Sequence, residues 1–261
     1  MIFKILSLLL ILAFLIGPTN TLAGETQIPK DRIMTLLKAV YLDQGVVKIV
    51  PSEIPNMYQV LLKTNEVIYV YDQNPPYLII GRILRYTPGL IPPIEDIAEK
   101  LVNEEIMSLV PELKKLAIKI GNGPVEVIEI VDPDCPFCKQ LHDLLKQFRN
   151  DVTRYVILYP LLPIHPDAKD KSIWILMSEG EEASRFEAVM DRVVEGKITD
   201  EKIRSSSEYA KAHERLSVMM KTVKPFVQGT PMVIIGEKVI RGFSEPQIKQ
   251  LISRSKGSNR K

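Results

Sequence analysis

Apolar positions along the chain change period several times, and each change marks an element. Ile33, Leu36, Leu37 and Val40 recur at helical spacing over Lys30–Tyr41. Short stretches rich in β-branched and aromatic residues follow: VVKIV at 46–50, YQVLLK at 58–63, VIYVYD at 67–72 and YLIIGRILRY at 77–86. Asn65 and Gln73-Asn74-Pro75-Pro76 supply turn chemistry between them. Strands this close together, joined by brief turns, predict an antiparallel meander.

Pro88-Gly89 and Pro92-Pro93 interrupt that pattern. Ile94, Ile97, Leu101, Ile106 and Leu109 then predict a long amphipathic helix, ended or kinked at Pro111. Residues 87–118 read as a connector between two domains. Beyond it, Val125–Val131 predicts a strand. Pro136–Arg149 predicts a helix with Phe137, Leu141, Leu144, Leu145 and Phe148 on one side, and Arg154–Leu161 a second strand. Residues 167–224 read as helical with breaks near Gly180, Gly196 and Thr199. A hairpin turning at Gly236-Glu237 and a helix over Pro246–Ser253 close the chain. Strand–helix–strand, helical insert, hairpin and helix is the element order of a thioredoxin fold.

Composition narrows the function. The chain has 261 residues, 46% of them hydrophobic and 25% charged, enough to build a core. A net charge of +2 gives no support for nucleic acid as a partner. Residues 256–261 read as a solvated basic tail. At the other end, Lys4 precedes an apolar run, Ile5–Ile16, broken only by Ser7. Gly17-Pro18 ends the run, and Thr21-Leu22-Ala23 offers small residues for cleavage. Residues 1–23 therefore read as a secretory signal peptide, too short in its apolar part for a membrane span. Export implies an oxidising compartment.

The only two cysteines stand in Cys135-Pro136-Phe137-Cys138, where a strand hands over to a helix. A bridge across so small a loop constrains the unfolded chain little, so a structural staple is a weak reading. Haem attachment needs histidine after the second cysteine, and Lys139 stands there. A zinc site needs four ligands; His142 could add a third, but no second pair follows. A reactive pair suits the position. Asp134 reads as the helix N-cap and Pro136 as its first-turn residue. Cys135 then sits at the positive end of the helix, where a thiolate is favoured over a thiol. The thiolate is the form that attacks disulfides. Cys138, one turn inward, is placed to resolve the mixed disulfide. No cofactor beyond the Cys135–Cys138 couple is expected.

Two further segments join this site. Glu129 interrupts a strand whose other residues are apolar, so it reads as buried. It is placed to accept the Cys138 proton. Gly229-Thr230-Pro231 opens the next strand, and a proline there cannot donate to a ladder. If the bond before Pro231 is cis rather than trans, it would set the Thr230 backbone beside the cysteines, where an extended substrate could pair. The histidines His142, His165 and His213 read as solvent-facing or locally satisfied.

With CPFC at 135–138, GTP at 229–231, YPLLPIHPDAKDKSIWIL at 159–176 and YQVLLKTNEVIYVYDQNPPYLIIGRIL at 58–84, the chain resembles the periplasmic disulfide isomerases of the DsbC/DsbG type. The resemblance implies an α+β / α/β architecture. An N-terminal antiparallel-sheet dimerisation domain (24–86) and a helical linker (87–118) would precede a thioredoxin-like catalytic domain with a helical insertion (119–255). It implies a homodimer whose cleft takes unfolded or misoxidised exported proteins, kept reduced by a membrane thiol reductase of the DsbD type. Cys135 falls on the nucleophile, Cys138 on the resolving cysteine, and Thr230-Pro231 on the cis-proline loop, with Pro136 and Phe137 facing substrate. The chain differs from the pattern in lacking a second cysteine pair in the insert. Its Pro-Phe dipeptide is closer to oxidases and the DsbG kind. A net dithiol oxidase of the DsbA kind, a sulfenic-acid reductase and a dimeric chaperone are the alternatives.

Overall fold

The computed structural model describes residues 29–40, 45–64, 66–89, 94–194 and 200–258. The signal-peptide reading, the turn at Asn65, the Pro92-Pro93 break, the breaks at Gly196 and Thr199 and the end of the basic tail fall outside them.

Helix α1 (Lys30–Val40) precedes strands β1 (Val46–Pro51), β2 (Met57–Leu62), β3 (Val67–Tyr71) and β4 (Tyr77–Ile80). The strands form an antiparallel sheet in chain order, the predicted meander. β2 is buried along its whole length because both faces of the sheet are covered. Ile33 and Leu37 of α1 pack on Tyr58, Val60, Leu62, Ile68 and Val70. On the other face Met57 and Tyr69 meet Ala98 and Ile97.

The run 77–86 is not one strand. Gly81, with φ of 147°, ends β4, and β5 (Leu84–Tyr86) pairs instead with β6 (Ile94–Asp96). Residues 94–96 thereby leave the predicted long helix. Their i, i+3 spacing suits a helix, but β5 supplies a ladder for their backbone, a tertiary contact that periodicity does not register. The helix itself is split into α2 (Glu99–Ser108) and α3 (Val110–Leu116), with Pro111 in the first turn of α3. Ile106 and Leu113 are fully buried in the C-terminal core. α2 touches both sheets through polar contacts: Lys48 Nζ of β1 lies 3.3 Å from Glu105 Oε1.

The C-terminal sheet holds β7 (Ile118–Ile120), β8 (Val125–Val131), β9 (Val152–Leu158), β10 (Met232–Ile235) and β11 (Lys238–Arg241), in the order β11-β10-β8-β9-β7. Only β8 and β9 run parallel, as helix α4 (Pro136–Lys146) between them requires. Gly123 seats the start of β8, since a Cβ there would fall 2.2 Å from the Asp151 backbone. The insert comprises α5 (Ala168–Leu176), α6 (Glu182–Met190), α7 (Glu201–Arg204) and α8 (Ser207–Val223), and α9 (Glu245–Ser258) closes the fold. From β11, Arg241 Nη2 donates to Asn103 Oδ1 of α2 at 2.9 Å. The architecture is therefore mixed α/β: an antiparallel sheet, a helical connection, and a thioredoxin-like sheet carrying a helical insertion.

Candidate active site

The cysteine pair sits where β8 ends and α4 begins, with one difference from expectation. The N-cap is Cys135 itself, not Asp134. The Asp134 carboxylate is drawn away to Lys171 Nζ of α5, a contact between residues far apart in the chain. Cys135 has extended backbone (φ −71°, ψ 123°), Pro136 opens the helix, and no side-chain oxygen caps it. The sulfur lies at that helix end, where the backbone N–H groups of Phe137 and Cys138 favour its thiolate.

The two sulfurs are unequal. Cys135 is 5% exposed and Cys138 fully buried. Hydrogen bonding from the Cys138 thiol holds the Cys135 pKa down to about 5, against the opposing effect of burial. The helix amides and Thr230 help. Burial pushes the Cys138 thiol well up, and the neighbouring Cys135 pushes it further. The Asp132 N–H points at Cys138 Sγ at 3.5 Å. The arrangement favours an outer thiolate and an inner thiol at neutral pH.

The Thr230–Pro231 peptide bond is cis. The Thr230 carbonyl lies 3.4 Å from Cys135 Sγ and accepts from it in the thiol form. The Thr230 hydroxyl is buried without a hydrogen-bond partner among the described residues. It is a donor left for a sulfur that ionises, consistent with its downward pull on both cysteines. Phe137 does not join the buried face of α4 as its spacing predicted. It is 55% exposed, because it falls in the first turn beside the reactive sulfur.

Glu129 is buried, but its surroundings differ from expectation. Both carboxylate oxygens face Arg154 of β9, at 2.6 Å to Nε and 2.9 Å to Nη2. Among the described residues neither oxygen bonds a cysteine, so the expected proton path to Cys138 has no direct hydrogen bond. Arg154 Nη1 also lies 3.3 Å from His142 Nδ1, and His142 Nε2 lies 3.2 Å from Asp191 Oδ1. Burial and then Arg154 lower the His142 pKa to about 4. The neutral ring accepts from Arg154 and donates to Asp191, which also receives Lys146 Nζ at 2.7 Å. His142 is thus neither solvent-facing nor locally satisfied, and its ring nitrogens are taken by protein partners. The Glu129–Arg154–His142–Asp191 chain ties β8, β9, α4 and the end of α6 together directly beneath the site.

Asp132 is a residue of the site that sequence reasoning missed. Its carboxylate is fully buried and accepts from Asp134 N–H at 2.7 Å, Leu161 N–H at 2.6 Å and His165 Nδ1 at 2.9 Å. The first of these is an Asx turn, and Asp-Pro-Asp after a strand is its signature. The others pin the 159–167 loop against the cysteine turn. That loop displays Leu162 and Ile164, the latter 65% exposed. A cavity of about 310 Å³ opens beside Cys135, reaching Lys139, Lys171 and the end of α6.

The thioredoxin-like domain family matches residues 114–253, more than half of the chain. Over 76 residues the chain is 36% identical to a protein of Bordetella pertussis named as a probable thiol:disulfide interchange protein DsbC. The match covers 29% of this chain and 26% of that protein, so it spans about a quarter of the relative's length. Among solved structures, the thiol-disulfide exchange protein alpha-DsbA2 of Wolbachia pipientis is 16% identical with a TM-score of 0.46, over 59% of this chain and 96% of that one. A disulfide interchange protein of Neisseria gonorrhoeae is 26% identical with a TM-score of 0.40, over 54% and 96%. The chain belongs to the thioredoxin-like domain family.

Proposed function

We propose that the protein is a thiol–disulfide oxidoreductase acting as a disulfide isomerase on exported proteins. The observation that carries this is the asymmetry of the pair, with Cys135 held near 5 and Cys138 pushed far up. An ionised outer sulfur can attack a disulfide, while a protonated inner one leaves the mixed disulfide time to rearrange. Cys135 attacks a substrate disulfide and expels one substrate thiolate. A substrate thiolate then frees the enzyme, or Cys138 loses its proton and displaces the second, leaving the Cys135–Cys138 bond. No other redox group is needed. Phe137, Leu162 and Ile164 supply exposed apolar contact around the sulfur for unfolded chain.

The same reading includes a homodimer. β4 is an edge strand of its sheet, and Tyr77, Ile80, Leu84 and Tyr86 are exposed on and beside it. A second copy would cover this row and satisfy the edge. It also includes export to the periplasm, misoxidised proteins as substrates and a membrane reductase of the DsbD kind to keep the pair reduced. Sedimentation of residues 24–261 is expected to give a dimer; a monomer at micromolar concentration would remove the isomerase architecture.

A net oxidase is the second reading, favoured by the depth of the Cys135 depression. A stabilised thiolate stabilises the reduced state and makes the disulfide more oxidising. Scrambled ribonuclease separates the two. Recovery of its activity by the reduced protein, with no added oxidant, supports isomerisation; recovery only from reduced ribonuclease with the oxidised protein supports oxidation.

The thiolate itself is testable. Ultraviolet titration of the reduced protein is expected to show one sulfur ionising near 5, and Cys138→Ala is expected to raise that midpoint by removing the leading hydrogen bond. The unfolded thiol titrates at about 8.5, so the unfolded chain holds the extra proton between the two values. The reduced fold therefore gains stability as pH rises through that window, by about 1.4 kcal/mol per unit, and loses it as pH falls toward 5. Cys135→Ser should flatten this slope in denaturant midpoints measured across the same range. A midpoint near that of a free thiol would leave the reading without its nucleophile.

A further inference from the structure

The cavity beside Cys135 has a charge pattern that thiol–disulfide exchange alone does not require. Lys139, Lys171 and Arg192 line it, with Val189 and Met190 as apolar wall, and Asp134 is the acid among its lining residues. Lys171 already neutralises Asp134. Lys139 faces Asp143 and, at 3.8 Å, Asp191. Arg192 has no ion-pair partner among the described residues. It is solvent-exposed at the rim, so its guanidinium is open to a ligand entering the cavity.

The backbone holds Arg192 in place against its own preference. It lies just past the end of α6 with φ of 56°, in the left-handed region that favours glycine. Its N–H donates to the Val189 carbonyl at 3.0 Å, and the Val193 N–H to the Ala188 carbonyl at 2.9 Å. This is a Schellman end, whose left-handed position is usually glycine. The preceding residue, Asp191, is fixed by His142 and Lys146, so the buried layer below the site also sets where Arg192 stands.

We propose that this cavity selects disulfides bearing a carboxylate a few bonds from the sulfur under attack, and that Arg192 is the group that recognises it. The inference rests on the thiol–disulfide reading above and names its substrate class. A volume of about 310 Å³ suits one small acid or one acidic side chain rather than a folded surface. A guanidinium pairs a carboxylate in two parallel hydrogen bonds. The Cys135 thiolate attacks the sulfur of the acid-bearing half and expels the other half as a thiolate. Cys138 loses its proton to water and displaces the acid-bearing half as a second thiolate, forming the Cys135–Cys138 bond. Two electrons pass from the dithiol to the substrate disulfide.

The test is the rate of the reduced protein with dithiodiglycolate, neutral hydroxyethyl disulfide and cationic cystamine, at low and high salt. The wild type is expected to favour dithiodiglycolate over cystamine by about tenfold at low salt, and by much less at 1 M salt, where screening acts within about 3 Å. Arg192→Gly suits the left-handed backbone, so its melting temperature should stay within about 3 °C of wild type. It is expected to lower the dithiodiglycolate-to-cystamine ratio about fivefold, while Arg192→Lys keeps most of the preference. Two disulfide-bridged peptides, with Glu or Lys beside the bridged cysteine, identify the source. A preference for the Glu peptide points to acidic segments of proteins, and a preference confined to dithiodiglycolate points to small acidic thiols. A ratio unchanged in Arg192→Gly overturns the inference and leaves the exchange reading standing. Failure to react with any disulfide overturns both.

Discussion

Cys135→Ser is expected to abolish thiol–disulfide exchange, and Cys138→Ala to leave the protein covalently attached to its substrates. A serine hydroxyl does not ionise near neutral pH and forms no disulfide, so the depressed titration of Cys135 has no counterpart in the variant. Loss of the nucleophile in a covalent mechanism costs the whole enhancement, not a fraction of it. The alanine variant keeps the attacking sulfur at its helix end but lacks the group that displaces the second substrate thiolate. Mixed disulfides should accumulate on non-reducing gels of the alanine variant and be absent from those of the serine variant. Since Cys138 is also the leading stabiliser of the Cys135 thiolate, attack by the alanine variant should be slower at acidic pH than that of the wild type. Exchange that persisted in Cys135→Ser would move the chemistry elsewhere.

Arg154→Met is expected to destabilise the fold by about 3–5 kcal/mol, because it strands a carboxylate in the interior. Glu129 is 1% exposed and Arg154 little more, and the guanidinium bonds both oxygens of the acid. For a chain of this size the melting temperature should fall by roughly 6–20 °C. The double variant Glu129→Met, Arg154→Met should recover most of the loss, since it leaves no buried charge. Thermal denaturation of the four proteins of the cycle measures each of these effects. A loss below about 1 kcal/mol in the single variant would mean that water reaches the pair. The variant should also disturb the end of α6, because Arg154 supports His142 and His142 supports Asp191.

Much of the fold could be read along the chain because local physics repeats. The meander, β8, the closing hairpin and the helical insert follow from periods of 2.0 and 3.6 and from turn residues at their ends. β6 was missed and β5 read only as the end of a longer strand, because three-residue strands have too few positions to show a period and these two exist only by pairing with each other. Phe137 illustrates the opposite failure: its spacing suits the core face of α4, yet its place in the first turn leaves it in solvent. Within the site, Cys135, Cys138 and Thr230-Pro231 announce themselves as motifs. Asp132 showed only a weak turn signature, and Arg154 and Arg192 none, since an arginine in a strand or after a helix has many ordinary reasons to be there.

The residue order alone determined that two cysteines would meet a helix N-terminus after a covered strand, because spacing and propensity act between near neighbours. It also determined that an acid would be buried in that strand, from the apolar company it keeps. Only the tertiary structure decided what that acid faces, which residue stands at the N-cap of α4, how unequal the sulfurs are, and that a cationic cavity opens beside them. Those outcomes depend on desolvation and on partners such as Glu129 with Arg154, Asp134 with Lys171 and Cys135 with Thr230, brought together across long stretches of chain by packing rather than by sequence proximity.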